Sequence, residues 1–202
     1  FVVDATGSMD DEIDYLEEEL KDLMQKTKDS LSLFSLNLSA VFYKSEGDDF
    51  VTRKSNFSED LTSTIDFIKT INADGGRSPE AVESGLECAV NELTWRDNAL
   101  TKIIFLVLDE PPADEDAIIE RMHKVIQEAA RKGIRIVPVA CSGTDKSTEY
   151  LMRTIALATN GTYVFLTDDS GIGYSHMKPT TDEYEVETFN DLIIRLVNQY
   201  TK

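Results

Sequence analysis

The sequence predicts a doubly wound α/β fold, a mostly parallel central sheet with helices on both faces. Three observations point there. Short apolar runs recur along the chain, "FVV", "LNLSAVFY", "TKIIFLVLD", "IRIVPVA" and "GTYVFLT". Between them lie longer segments whose apolar residues follow helical spacing. The two kinds alternate throughout, as strands joined by helical crossovers do. The 202 residues contain no repeat, low-complexity tract or internal linker, so one domain over 1–202 is expected.

Each element has a local reason. Phe1, Val2 and Val3 read as the end of a buried strand, truncated at its start, as in a domain excised from a larger protein. In "DEIDYLEEELKDLMQKTKDSL", Ile13, Leu16, Leu20, Leu23 and Met24 share one helical face. Its acidic start, Asp10, Asp11 and Glu12, suits the positive end of a helix dipole. "LNLSAVFY" and the alternating "FVTRKSNF" flank the Gly/Asp-rich turn "SEGDDF", which predicts a hairpin and one antiparallel edge strand. "DLTSTIDFIKTIN" is a short helix. The loop "ADGGRSPE" then leads into a helix reaching about Leu93, with Pro79 suited to an early helical position. "TKIIFLVLD" is nearly continuously apolar, as a central strand covered on both faces must be. After the loop "EPPADED" come a helix to Arg131, the strand "IRIVPVA", the helix "TEYLMRTIALAT", the strand "GTYVFLT" and a last helix in "EVETFNDLIIRLVNQY".

Charge narrows the function. With 20 basic and 38 acidic residues the net charge is −18, which repels nucleic-acid phosphates and anionic membrane surfaces and attracts cations and basic partners. No stretch approaches 18 consecutive apolar residues, so no membrane insertion by this segment is expected. The two cysteines, Cys88 in a helical pattern and Cys141 at a strand end, read as buried small residues, without the spacing of a metal pair. His123 and His176 stand alone and read as surface residues.

The strand ends carry the chemistry. Doubly wound sheets bind ligands beyond the carboxyl ends of their strands. There the chain places Asp4, Asp109 and the loops after Ala140 and Thr167, with the Gly-rich loop 73–78 facing the same edge. Asp4, Thr6 and Ser8 offer oxygens at alternate positions of a short turn. That is either a helix cap or part of a site for a hard cation, and the convergence of distant oxygen-bearing segments on one rim favours the cation.

These residues resemble the von Willebrand factor type A (VWA) domain, a Rossmann-like fold, and its metal-ion-dependent adhesion site. The family pattern is Asp-x-Ser/Thr-x-Ser after the first strand, a Thr in a Gly-rich loop and an Asp after a central strand. "DATGSM" matches at Asp4, Thr6 and Ser8, "GGRSPEA" at Ser78 in place of Thr, and "FLVLDEPP" at Asp109. The resemblance implies that these five residues hold Mg²⁺ (or Mn²⁺ or Ca²⁺), and that a protein partner completes the shell with an Asp or Glu carboxylate. It implies a cation-dependent protein-binding or adhesion module, not an enzyme, at an extracellular or cell-surface location. Two departures stand out. Ser78 lacks the methyl that holds a Thr rotamer, and Glu110 adds a carboxylate beside Asp109. Asp10, Asp11 and Glu12 resemble the acidic pair of a second calcium site in integrin β-subunit domains, but read more simply as helix-start charges.

Catalytic readings fit less well. A haloacid-dehalogenase-type phosphatase needs a second Asp where Thr6 stands, and the phosphate-binding, dinucleotide-binding and nucleophile-elbow motifs are absent from the sequence. Ser8 has no histidine that sequence can pair with it. The alternatives are a metal-dependent hydrolase using the cation as Lewis acid, and a structural domain of a larger surface assembly whose metal only stabilises the fold. The long connection 168–183 should open on the metal rim, and its Tyr174, His176 and Met177 suit partner contact.

Overall fold

The computed structural model describes residues 1–10, 12–15, 18, 20, 25–27, 35–141, 143–166 and 187–202. Among the described residues there are six strands, β1 (Val2–Asp4), β2 (Val41–Tyr43), β3 (Thr52–Lys54), β4 (Lys102–Leu108), β5 (Ile134–Ala140) and β6 (Val164–Phe165). They form one sheet in the order β3-β2-β1-β4-β5-β6. Every pairing is parallel except β2 with β3, the expected hairpin, which puts the antiparallel strand on an edge.

Alternation along the strands explains the two cores. Val3, Phe42, Val107, Val137 and Val139 point to one face, and Val2, Val41, Leu106, Leu108 and Ile136 to the other. The first face is covered by α1 (helical at 10, 12–15, 18, 20 and 25–27), α2 (Leu61–Ile68) and α6 (Phe189–Tyr200), through Ile13, Leu20, Ile65, Ile68, Ile193 and Leu196. The second is covered by α3 (Val82–Glu87), α4 (Asp116–Arg131) and α5 (Lys146–Ala158), through Val82, Leu86, Met122, Val125, Met152 and Ile155. Burial of each such side chain contributes about 1.5–3 kcal/mol, so both faces must be covered for these strands to be stable in water. Both cysteines are buried and free, as their sequence settings implied.

Helix ends follow local chemistry. Asp145 caps α5 by accepting the Thr148 N–H at 2.7 Å, and Asp60 caps α2 by accepting that of Thr62 at 3.0 Å. In α4 the buried set Met122, Val125, Ile126 and Ala129 has the spacing of one helical stripe, and His123 is exposed beside it. Pro79 departs from expectation. It lies ahead of α3, joined to Ser78 by a cis peptide bond, and the helix begins at Val82 after a non-helical Ala81. Beyond Glu87 the helix continues as the π-helical turn Cys88–Glu92.

Candidate metal centre

The strand order reverses direction at β1, whose neighbours are β2 on one side and β4 on the other. Chain connections diverge from that point and open a crevice at the carboxyl edge. Val3 pairs with Val107, so Asp4, which ends β1, and Asp109, which follows β4, leave the sheet side by side. Both are buried.

A third carboxylate joins them. Oxygens of Asp4, Glu80 and Asp109 lie within 4.8 Å of one another, and all three residues are buried. Glu80 is delivered by the neighbouring hairpin. Residues 44 and 45 continue past β2, Ser45 bridges to Glu80, and the Lys44 carbonyl accepts the Ala81 N–H at 3.3 Å. Farther up the loop the Asp48 carboxylate accepts the Gly76 N–H at 3.2 Å, and Ser45 Oγ accepts that of Arg77 at 3.1 Å. Gly76 has φ +94°, and a Cβ there would stand 3.0 Å from Thr6 Cβ, so only glycine lets this backbone approach the turn after β1.

The turn itself supplies hydroxyls. Asp4 Oδ1 accepts the Thr6 N–H at 2.7 Å, the Thr6 hydroxyl donates to Glu80 Oε1 at 3.0 Å, and Thr6 and Ser8 hydroxyls are 3.2 Å apart. The Ser8 hydroxyl also bonds the Asp109 carboxylate. A 3-10 turn, Gly7–Met9, holds this geometry and buries Met9 beneath it. Of the five residues singled out in sequence, Asp4, Thr6, Ser8 and Asp109 therefore meet. Ser78 lies on the exposed part of its loop, and the loop residue that bonds Thr6 is Glu80.

Electrostatically the cluster is under load. Burial raises the Asp4 carboxyl, and Glu80 is pushed up to about 11 by burial and then by its hydrogen bond and repulsion with Asp4. Asp109 rises to about 6, through burial and then through the negative charges of Asp4 and Glu110. Burial and the same carboxylates also push the buried Tyr43 phenol well up. Apart from the carboxyl–carboxyl contact of Glu80 with Asp4, the buried oxygens Asp4 Oδ2, Glu80 Oε2 and Asp109 Oδ1 have no hydrogen-bond partner. Orphaned buried oxygens of this kind are costly, and a divalent cation is the species that would satisfy all three at once. The donor set fits one: three carboxylates and two hydroxyls, all oxygen, the chemistry of Mg²⁺ or Ca²⁺.

The remaining sequence candidates fall elsewhere. Glu110 is exposed, and Glu12 is buried at the start of α1, while Asp11 lies outside the described residues. Tyr174, His176 and Met177, with the connection 168–183, also lie outside the described residues. Glu80 was missed because it looks like a first-turn helical acid. Its position directly after Pro79, in a Gly-rich loop aimed at the strand rim, was the available signal.

A doubly wound sheet with an acidic, oxygen-only rim at its reversal point defines a class of α/β domains with a candidate cation site at the strand ends. Within that class the chain belongs to the von Willebrand factor type A domain family, whose profile matches residues 1–175. It is similar to the alpha-protein kinase vwkA of Dictyostelium discoideum, 29% identical over 114 residues, which cover 55% of this chain and 18% of that protein. Proximal thread matrix protein 1 of the mussel byssus has a similar fold, with a TM-score of 0.54 at 18% identity, covering 84% of this chain and 41% of that one. This chain thus spans less than half the length of either relative. Among the described residues, no helix is long and apolar enough to cross a membrane.

Proposed function

We propose that this domain is a divalent-cation-dependent protein-binding module, with Asp4, Thr6, Ser8, Glu80 and Asp109 holding the ion. A partner's Asp or Glu then completes its coordination. The observation that carries the reading is the trio of orphaned buried oxygens on Asp4, Glu80 and Asp109 at the strand rim. When bound, the cation supplies a positive centre for an incoming oxygen. The chain's own residues do the rest. Thr6 fixes Glu80 and, through its N–H, Asp4, while Ser8 orients Asp109. Two family properties support the assignment: VWA domains commonly bind proteins, and they often bind a divalent metal.

No catalysis is assigned to the site. The Ser8 hydroxyl is engaged by the Thr6 hydroxyl and the Asp109 carboxylate, and this reading assigns both to holding the cation rather than to proton transfer. Kinase activity in the name of the Dictyostelium relative belongs to a protein of which this chain spans 18%.

One observation favours a second reading, a purely structural ion. Three carboxylates already outweigh the charge of a divalent cation, which lessens its pull on a fourth. Melting curves and peptide capture separate the two. A divalent cation at a hundredfold excess over its Kd should stabilise the wild type by about 2.7 kcal/mol. Asp4→Ala and Asp109→Ala should abolish that shift. Immobilised peptides bearing an exposed Asp or Glu should then be captured with cation and released by EDTA, and amide analogues should not. A cation shift without capture supports the structural ion. Melting indifferent to cation and chelator would sink both.

A further inference from the structure

We propose that Glu80 makes this a calcium site, one that selects Ca²⁺ over Mg²⁺. The inference rests on the cation-binding reading above and goes beyond it to the identity of the ion, for which the sequence alone had favoured Mg²⁺.

The argument begins with the number and sign of the ligands. Mg²⁺ binds in a near-ideal octahedron, releases its water reluctantly, and usually takes one or two carboxylates from a protein. Ca²⁺ accepts 6–8 oxygens in irregular arrangements and tolerates several carboxylates. Here three carboxylates converge, and two hydroxyls stand next to them. A two-carboxylate rim, Asp4 and Asp109 with hydroxyls, would match the habits of Mg²⁺. Glu80 adds the third carboxylate.

The fixed positions of the ligands point the same way. The oxygens of Asp4, Glu80 and Asp109 lie within 4.8 Å of one another, and neighbouring bonds hold them there. An arrangement set by the protein suits the flexible shell of Ca²⁺ better than the near-ideal octahedron that Mg²⁺ demands. Asp4 is tied to the Thr6 N–H at 2.7 Å, Glu80 to the Thr6 hydroxyl at 3.0 Å, and Asp109 to Ser8.

Burial adds a third reason. Asp4, Glu80 and Asp109 are 0%, 4% and 5% exposed, which leaves little room for the waters that Mg²⁺ retains. Ser8 is exposed, so the open side of the site lies toward it, and a larger ion with more coordination positions can take ligands from there.

The test is calorimetric titration of chelator-stripped protein with CaCl₂ and separately with MgCl₂, for the wild type, Glu80→Gln and Glu80→Thr. Near-ultraviolet circular dichroism in EDTA confirms that each variant is folded. The wild type should bind Ca²⁺ at least about tenfold more tightly than Mg²⁺. Both variants should lose roughly tenfold or more in Ca²⁺ affinity and less than about threefold in Mg²⁺ affinity, so that selectivity collapses. A wild type that binds Mg²⁺ as well as or better than Ca²⁺ overturns the inference and leaves the cation-binding reading intact. So does Ca²⁺ affinity that survives both substitutions. Binding of neither ion overturns the inference together with the reading beneath it.

Discussion

Asp109 shows how one carboxylate couples the site to stability. Its folded-state pKa of about 6 lies above its ordinary value of 3.8, because burial and neighbouring negative charge disfavour ionisation. A group raised in this way gives its full stabilisation below its unfolded value and loses it as pH rises through the folded one. Without metal the protein should therefore lose stability between about pH 4 and 6 from this residue, with Glu80 extending the trend upward. A cation reverses the sign, since it binds the ionised forms and its protein-bound protons must leave first. Melting in EDTA should fall from about pH 4 to pH 6, while the calcium-induced rise in Tm should grow over the same interval. Asp109→Asn should flatten both trends. A metal-free Tm that climbs through this window would contradict the burial argument.

At the scale of elements, the hairpin after β2 serves as a template for the Glu80 loop. Asp48, Ser45 and the Lys44 carbonyl hold Gly76, Arg77 and Ala81 in turn. The buried Lys44 ammonium also bonds Asp49, at 3.1 Å, and Asp74, which ties hairpin and loop through side chains. Asp48→Ala should release the loop and weaken Ca²⁺ binding by roughly threefold to tenfold, the cost of one hydrogen bond to a charged acceptor near the surface. The metal-free Tm should barely move. In a Glu80→Gln background the same substitution should change Ca²⁺ affinity little, because the loop then has no charged ligand to position. Additive losses would mean that Asp48 acts by another route.

This hairpin also marks where sequence reading stops. Asp4 and Asp109 were legible because each terminates an apolar run, and a strand's carboxyl end is a place that periodicity alone can locate. The strands "IIFLVL" and "IVPVA" were legible because burial on both faces leaves a continuous apolar signature. Glu80 enters through a backbone reversal at Gly75 and Gly76, fixed by bonds to a hairpin some thirty residues earlier. No local period records such a contact, and Ser78 is the more conspicuous oxygen donor on that loop. Pro79 misled for a similar reason: proline marks helix starts statistically, but here α3 begins later, after the chain has turned Glu80 inward.

For the whole molecule, the site is a junction of chain segments that are remote in sequence. Asp4 comes from the first strand, Glu80 from the loop before α3, and Asp109 from the end of the central strand β4. Contacts that close long loops are expensive in chain entropy and slow to form. An ion that needs all three carboxylates in place has no complete site in the denatured chain. Calcium should therefore act on escape from the native state rather than on arrival at it. In stopped-flow chevrons the unfolding limb should drop with added calcium while the refolding limb stays nearly where it was. A refolding rate that accelerates with calcium would place the rim in the folding nucleus instead. If the unfolding limb alone responds, calcium acts as a removable clasp. A chain moved from a calcium-rich medium to a chelating one would then keep its shape but shorten its lifetime, becoming open to proteases on a timescale that the ion had set.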